Sequence, residues 1–431
     1  MTTQSSSFSF ISLGCARTLV DSENIVNSLH GAGFELVEEG SQESITVLNT
    51  CSFIQAAIDE TESNIRHLIN KKKMGELQYL AVVGCYPSRF KKPDLEAKFP
   101  EVDIWLTTQE EGQLKNQLSE LVFKRKFAPS KQVKYTKLTP SHYTYLKISE
   151  GCDNWCAFCT IPKIRGTHTS RSTEDLIAET KQHIALGTKE LLLVAEDTTA
   201  WGDDIYGEPR FHELLTALSD CDVEWIRPMY IFPSRVDSTL IQTMKNTPRI
   251  TPYIDMPIQH VNSELLASMN RRHDKAFLEK IMDEMVQEIP DIAVRTTFII
   301  GYPGETEEHV DELIEFIEKY PFTHIGCFGY SEEKETRAAR LEDKVPENVI
   351  RERIQRVMSR QFELLQERHK ARIGKQYRYL YEGNGYGRTV YEAPEVDGIV
   401  RVEDSDTLEP GQFYDVEITG VDGYDLTCKL V

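Results

Sequence analysis

Gly151-Cys152-Asp153-Asn154-Trp155-Cys156-Ala157-Phe158-Cys159 puts three cysteines into nine residues, spaced C-x3-C-x2-C. The run directly follows an apolar, strand-like stretch, Tyr143 to Ile148. Similar stretches recur at Glu190 to Ala195, Glu224 to Ile231, Pro252 to Met256, Val294 to Ile300 and His324 to Phe328. Helical periodicity fills the intervals, notably at 173–186, 236–246, 274–288 and 306–319. Six βα units predict a partial (β/α) barrel, open on one side, with its active site at the C-terminal strand ends. The cysteine run stands at that end of the first strand. Three thiolates on one loop can hold three irons of a 4Fe–4S cluster and leave the fourth open for chemistry.

Upstream lies a second triplet, Cys15, Cys51 and Cys85, each just after a strand-like run. Strand candidates are 8–13, 34–37, 45–49, 79–83 and 103–106, with helical stretches at 19–31, 53–72 and 110–123. This alternation predicts an open parallel sheet, whose ligands gather at the carboxyl ends of the strands. Cysteines far apart in sequence can converge there. The repeated context (Leu13-Gly14-Cys15, Asn49-Thr50-Cys51, Val83-Gly84-Cys85) favours a shared metal centre over three buried packing cysteines. Zinc competes for the C-x3-C-x2-C run, but it normally wants a fourth Cys or His close in register, and none is evident.

At 431 residues the chain predicts two or three domains. No apolar run approaches the roughly 18 residues of a membrane span, and the first residues lack the basic and apolar parts of a signal peptide. The expectation is a cytoplasmic protein with no membrane contact. Thiols stay reduced in that compartment, and grouped cysteines read as metal ligands. A formal charge of −20 disfavours a broad nucleic-acid-binding surface.

From Leu121 to Ser149 there is no Asp or Glu, but seven Lys or Arg, broken by Pro129 and Pro140. This predicts a basic linker at 124–142, between an N-terminal domain (1–123) and the barrel. Pro346 to Ile373 reads as a charged helix that closes the barrel domain (143–373). Beyond it, five short strands are expected at Tyr377 to Glu382, Arg388 to Tyr391, Gly398 to Val402, Tyr414 to Thr419 and Leu426 to Leu430. They predict a small antiparallel, OB-like β-barrel at 374–431. Lys375 to Val431 carries five Lys or Arg against twelve Asp or Glu, a net of −7. Such a surface repels RNA and attracts a basic protein.

The C-x3-C-x2-C run after the first strand of a partial barrel resembles the radical S-adenosylmethionine (SAM) superfamily, and Phe158 before the last cysteine matches its pattern. Ser12-Leu13-Gly14-Cys15, Val20-Asp21-Ser22-Glu23, Asn49-Thr50-Cys51 and Val83-Gly84-Cys85 are similar to the N-terminal domain of its methylthiotransferase family. Cys159-Thr160-Ile161-Pro162-Lys163-Ile164-Arg165-Gly166 and Gly301-Tyr302-Pro303-Gly304-Glu305-Thr306 are similar to that family's barrel, and the terminal segment to its TRAM domain. Pro257-Ile258-Gln259-His260, Asp197-Thr198-Thr199 with Trp201-Gly202, and the acidic terminal barrel resemble the branch that modifies a ribosomal-protein aspartate. The alternative is the branch that modifies an adenosine of tRNA. Arg17-Thr18, Glu196, Val261-Asn262 and Glu335 depart from the family pattern, and none is a cysteine.

The resemblance implies methylthiolation of the β-carbon of an aspartate in a basic small-subunit ribosomal protein, the twelfth, on or near the ribosome. It implies two 4Fe–4S clusters, one on Cys152, Cys156 and Cys159 and one on Cys15, Cys51 and Cys85. SAM serves twice, methylating a sulfur on the second cluster and yielding a 5′-deoxyadenosyl radical at the first. For this the N-terminal strand ends must face the barrel mouth. A reductant such as flavodoxin or ferredoxin supplies the electron, and a monomer suffices. No catalytic residue beyond the cluster ligands is expected. Phe158, Glu196, Gln259 and Gly301 are candidate cofactor contacts, Gly301 by letting the adenine approach the backbone. His260 reads as a structural histidine, His168 lacks support for a role, and Cys221, Cys327 and Cys428 read as packing residues.

Overall fold

The computed structural model describes residues 7–41, 43–124 and 135–431. They fall into two compact units. One comprises Met1–Thr139 with Gly151–Asp153 and Cys159–Thr167; the other comprises Pro140–Glu150, Asn154–Phe158 and His168–Val431.

In the first unit, strands β1 (Ser7–Ser12), β2 (Glu35–Leu36), β3 (Ile45–Thr50), β4 (Tyr79–Gly84) and β5 (Ile104–Thr107) form one parallel sheet in the order β2-β1-β3-β4-β5. The central strands β3 and β4 send apolar residues to both sides because both faces are covered. Val47 and Val83 face a core with Phe8, Val26 and Leu29. Leu48 and Val82 face the opposite one with Ile65, Leu68 and Trp105. Two short helices, Cys85–Arg89 and Lys92–Lys98, lie where the periodicity marked none.

The expected linker is described only from residue 135; its residues 125–134 lie outside the described residues. Tyr135 to Leu138 is a strap docked on the helix Ala16–Gly31. The Tyr135 hydroxyl and the Leu138 amide donate to the Glu23 carboxylate at 2.8 and 2.7 Å, and Thr136 exchanges backbone bonds with the Asn27 side chain. The end of the basic stretch thus meets an acidic group. Burial brings the Lys137 ammonium down to a pKa of about 8, with Glu23 opposing that shift.

In the second unit, β6 (Tyr143–Lys147) leads into a short ribbon of β7 (Ser149–Glu150) and β8 (Thr169–Ser170). Then follow β9 (Glu190–Val194), β10 (Trp225–Pro228), β11 (Tyr253–Asp255), β12 (Ala293–Ile300) and β13 (Phe322–Gly329). Strands β6, β9 and β10 pair in parallel, as do β11, β12 and β13. A parallel bridge between Ile226 and Ile250 and the bond from the Ile231 amide to the Asp255 carbonyl carry the run from one sheet to the other. The six expected strands therefore form the partial barrel in chain order. Its helices start where side chains take up orphan amides: Ser172 accepts from Asp175, Asp237 from Leu240 and Asp274 from Phe277. The helix Glu347–Lys370 packs beside β13 and the helix Glu307–Lys319, and Arg353 ties it to Glu305 and Glu307.

Five strands close the terminal barrel: β14 (Gln376–Gly383), β15 (Tyr386–Arg388), β16 (Val400–Val402), β17 (Phe413–Asp422) and β18 (Asp425–Leu430). Four pairings are antiparallel, but β16 and β18 run parallel, so the expectation of an antiparallel barrel holds for all but one pair. An odd number of strands in a closed ring cannot alternate throughout. The strand expected at Arg388 to Tyr391 ends at Arg388, because the Glu392 carboxylate takes up the Thr389 amide and hydroxyl and turns the chain away.

This barrel sits on the N-terminal ends of β6 and β9 to β13. Tyr143 and Tyr145 donate to Glu395, Tyr253 and Arg295 donate to Asp397, and Glu190 pairs with both Arg227 and Arg388. The segment Glu392 to Asp397 thereby stoppers the lower end of the barrel. Among the described residues no helix is long and apolar enough to cross a membrane.

Candidate functional site

Cys15, Cys51 and Cys85 stand at the carboxyl ends of β1, β3 and β4, three neighbours in the sheet about 5 Å apart strand to strand. Two glycines make the turns. Gly14 has φ +116°, and a Cβ there would stand 3.2 Å from the Cys51 Cβ. Gly84 has φ +96°, and a Cβ there would collide with the Asn49 amide oxygen at 2.2 Å. Behind the thiols lies a buried polar lattice. Asn49 donates to the Ser22 hydroxyl, Ser22 to the Thr18 carbonyl, and Thr50 to the Val83 carbonyl.

The segment after Cys159 reaches this lattice. Arg165, almost fully buried, donates to Asp21 at 2.8 Å and to the Cys85 sulfur at 3.4 Å. The Thr160 hydroxyl donates to the Phe53 carbonyl at 3.2 Å. The thiols feel one another and these cations. Burial pushes Cys15 up, but Arg17, the Thr18 backbone and Arg165 together bring it down to about 7. Burial, with the neighbouring Cys15, raises Cys51. Burial drives Cys85 up to about 12 against the pull of Arg165.

The second cysteine run is fixed from both flanks. Gly151 has φ +74°, with no room for a Cβ beside the Thr167 carbonyl, and the Cys152 amide donates to the Gly166 carbonyl. Within the barrel unit, residues 154–158 are clasped by strand-end groups. Asn154 donates to Asp197 at 2.7 Å, and Arg235 bridges Asp197 and the Asn154 amide oxygen at 2.5 and 3.0 Å. Asn270, at φ +59°, donates to the carbonyls of Asn154 and Trp155, and the Ala157 amide donates to Met269. Arg271 reaches the Cys156 sulfur at 3.5 Å. Trp155 is held at φ +51° and is half exposed.

Among the described residues, no three of His, Cys, Asp and Glu are gathered tightly enough for a single metal ion. A cluster spreads its ligands, one thiolate to each iron corner. Soft sulfur donors beside buried guanidinium groups fit an anionic iron–sulfur group at either place.

The other expected contacts are scattered around the upper strand ends. Glu196 follows β9 and is half-buried. Gln259 follows β11 with φ +75°, its backbone bridged to β12 through Thr297 and Ile299. Gly301 follows β12 with φ +79°, but the space of its missing side chain is taken by Ile350, whose Cγ1 would lie 2.3 Å from a Cβ. Phe158 packs with Ala157, Leu265, Met269 and Tyr302. His260 is fully buried, its Nδ1 accepting from the Val261 and Asn262 amides and its Nε2 lying 3.6 Å from Glu305. His168 meets Ser170 and Asp204. Cys221, Cys327 and Cys428 stand apart from both triplets, in the core or against it.

Sequence reading missed Arg235, Asn270 and Arg271 as loop-holding groups. For Arg235 the usable signal was position, in the loop after β10 at the barrel's working edge; Arg271 lies beyond the helix Ser263–Ser268 that follows β11, and gave no such signal.

The chain matches the Radical SAM superfamily over residues 146–317, Uncharacterized protein family UPF0004 over 7–107, and the TRAM domain over 373–431. Among solved structures it is similar to the radical SAM methyltransferase TsrM from Kitasatospora setae, with a TM-score of 0.58 at 12% identity over 95% of this chain and 84% of that one. That likeness concerns the fold alone. The ribosomal protein uS12 methylthiotransferase RimO of Anaeromyxobacter sp. (strain Fw109-5) is 40% identical over 97% of this chain and 92% of its own length. Those of Myxococcus xanthus (39%, covering 100% and 93%) and Carboxydothermus hydrogenoformans (38%, covering 98% of each) are similar to it as well. With three matching domains in the same order and relatives of that identity along its whole length, the chain belongs to the radical SAM methylthiotransferases, in the family of the ribosomal protein uS12 methylthiotransferase RimO.

Proposed function

We propose that this chain methylthiolates the β-carbon of an aspartate in ribosomal protein uS12, as its relatives' name indicates for the protein substrate. Cys152, Cys156 and Cys159 hold one 4Fe–4S cluster and Cys15, Cys51 and Cys85 a second, with Phe158, Glu196, Gln259 and Gly301 around the SAM. Bound there, the clusters supply the electron that cleaves SAM to a hydrogen-abstracting radical and an open iron that carries the sulfur to be transferred.

The chain's own part is to bind, orient and shield. Asn154, Asp197 and Arg235 fix the loop between Cys152 and Cys156, and Gln259 and Gly301 turn the backbone at the strand ends beside it. The observation that carries the reading is Arg165, six residues beyond Cys159, donating to Cys85. It supports a working arrangement in which the segment of one triplet abuts the strand ends of the other.

The terminal barrel, with its net of −7, suits a basic protein better than RNA. The enzyme works as a monomer in the reducing cytoplasm, with flavodoxin or ferredoxin as electron donor.

The test is anaerobic incubation with SAM, sulfide, reductant and either a uS12 loop peptide or tRNA. A methylthio mass gain on the peptide is expected, and a gain on tRNA alone overturns the substrate assignment. Iron and sulfide should come to about eight irons per chain. Replacing Cys15, Cys51 and Cys85 together should halve that number, and a full complement in that variant overturns the second cluster.

A further inference from the structure

Arg271 is a buried cation whose hydrogen bonds go to no carboxylate. One guanidinium nitrogen donates to the Pro257 carbonyl at 2.7 Å, another to the Cys156 sulfur at 3.5 Å, and Nε has no acceptor among the described residues. The plane lies over the Phe232 ring, 3.9 Å from its centroid, which fixes its orientation. Arg271 also continues the turn that grips the cysteine loop, since the Met269 carbonyl accepts from Ala157 and Asn270 donates to residues 154 and 155. The distance to Cys156 is therefore set by one backbone bond and two from the Asn270 side chain. His273 adds no second charge, because burial and Arg271 itself bring it down to about 3.

A buried guanidinium without a counter-ion is costly unless an anion comes to it. The anion that fits is a thiolate-ligated cluster. We propose that Arg271 is a positioning residue that raises the reduction potential of the cluster held by Cys152, Cys156 and Cys159, by donating to the Cys156 sulfur. Uptake of one electron from the reductant adds one negative charge to the cluster and breaks no bond. A fixed positive charge and an N–H···S bond at a ligand sulfur stabilise that added charge, and burial limits screening. Arg165 at Cys85 contrasts with this, because Asp21 partly offsets its charge.

The inference rests on the cluster assignment above, and its test separates the two. In full-length protein carrying Cys15→Ala, Cys51→Ala and Cys85→Ala, only the barrel cluster remains. Its midpoint potential is measured by EPR-monitored titration without SAM. Arg271→Gln should shift the potential down by about 59 mV or more, a tenfold change in the one-electron equilibrium, and Arg271→Lys should fall between. An unchanged potential with the cluster intact overturns the proposal, also if SAM binding weakens. A triple variant with no EPR-active cluster overturns the cluster assignment instead. Should Arg271→Gln fail to take up iron, pulsed EPR on the triple variant with 15N-labelled arginine decides. A weakly coupled arginine nitrogen is expected, and its absence overturns the proposal.

Discussion

The Arg165 guanidinium bridges Asp21 and Cys85, at 2.8 Å to the carboxylate and 3.4 Å to the sulfur, in a place closed to solvent. Both charged partners were visible in sequence as parts of separate motifs, and only the fold pairs them. Asp21→Asn should remove the carboxylate partner of a buried cation that keeps its contact with Cys85, and cost up to about 3–5 kcal/mol. Urea unfolding of the anaerobically prepared chain measures this. Adding Arg165→Met should recover much of the loss, since both charges are then gone.

Asn270 supports the cysteine loop through its left-handed backbone and two side-chain bonds. Asn270→Ala removes the bonds and strains the turn, whereas Asn270→Gly removes only the bonds. Both variants should lose iron toward half of the full content, Ala further than Gly, with little change in the far-UV spectrum. Equal and full iron in both would show that the clasp is dispensable.

Gly301→Ala meets two penalties. A side chain at φ +79° costs about 1–2 kcal/mol, and crowding Ile350 adds about 1–3 kcal/mol. Ile350→Ala in the same chain should relieve the crowding but not the backbone strain. Thermal or urea unfolding of the two variants and the pair tests this partition.

Acid should weaken the barrel unit in two stages. Burial, helped by Arg372, brings His369 down to about 4, so the folded chain keeps it neutral while the unfolded chain protonates it near 6.5. Its stabilising effect is complete above pH 6.5 and fades as pH falls to about 4, a change of about 3 kcal/mol. Glu382 and Glu392 follow. Although burial opposes their ionisation, His142 with Arg388 and Arg372 with Thr389 respectively hold them at about 2. Their contribution is present above about 4.5 and is lost toward 2. His369→Gln should shrink the first stage and leave the second, as read from unfolding free energy against pH. The remainder of the first is carried by His273, which burial and Arg271 bring down to about 3.

The parallel sheet and the six barrel strands were legible because both follow from apolar runs of strand length separated by helical periodicity. Cys15, Cys51 and Cys85 could be grouped in advance, since strand ends of a parallel sheet converge by topology. The short helix at Cys85–Arg89 could not, being only five residues and shaped by Gly84 and the Thr50 hydroxyl. Arg271 was equally hidden, because its role depends on which loop lies opposite. The displaced strand end at Arg388 came from a side-chain bond, Glu392 to Thr389, that no periodicity records.

The seat under the terminal barrel bears on how such enzymes can be re-engineered. Glu395, Asp397 and Arg388 are keyed into Tyr143 and Tyr145 on β6, Glu190 on β9, Tyr253 on β11 and Arg295 on β12, toward the lower ends of four of the six staves. A recognition module grafted from a relative with other specificity will not plug in as a cassette. It must bring its own matching tyrosines and charges, or the graft leaves ionised groups without their partners where the two parts meet.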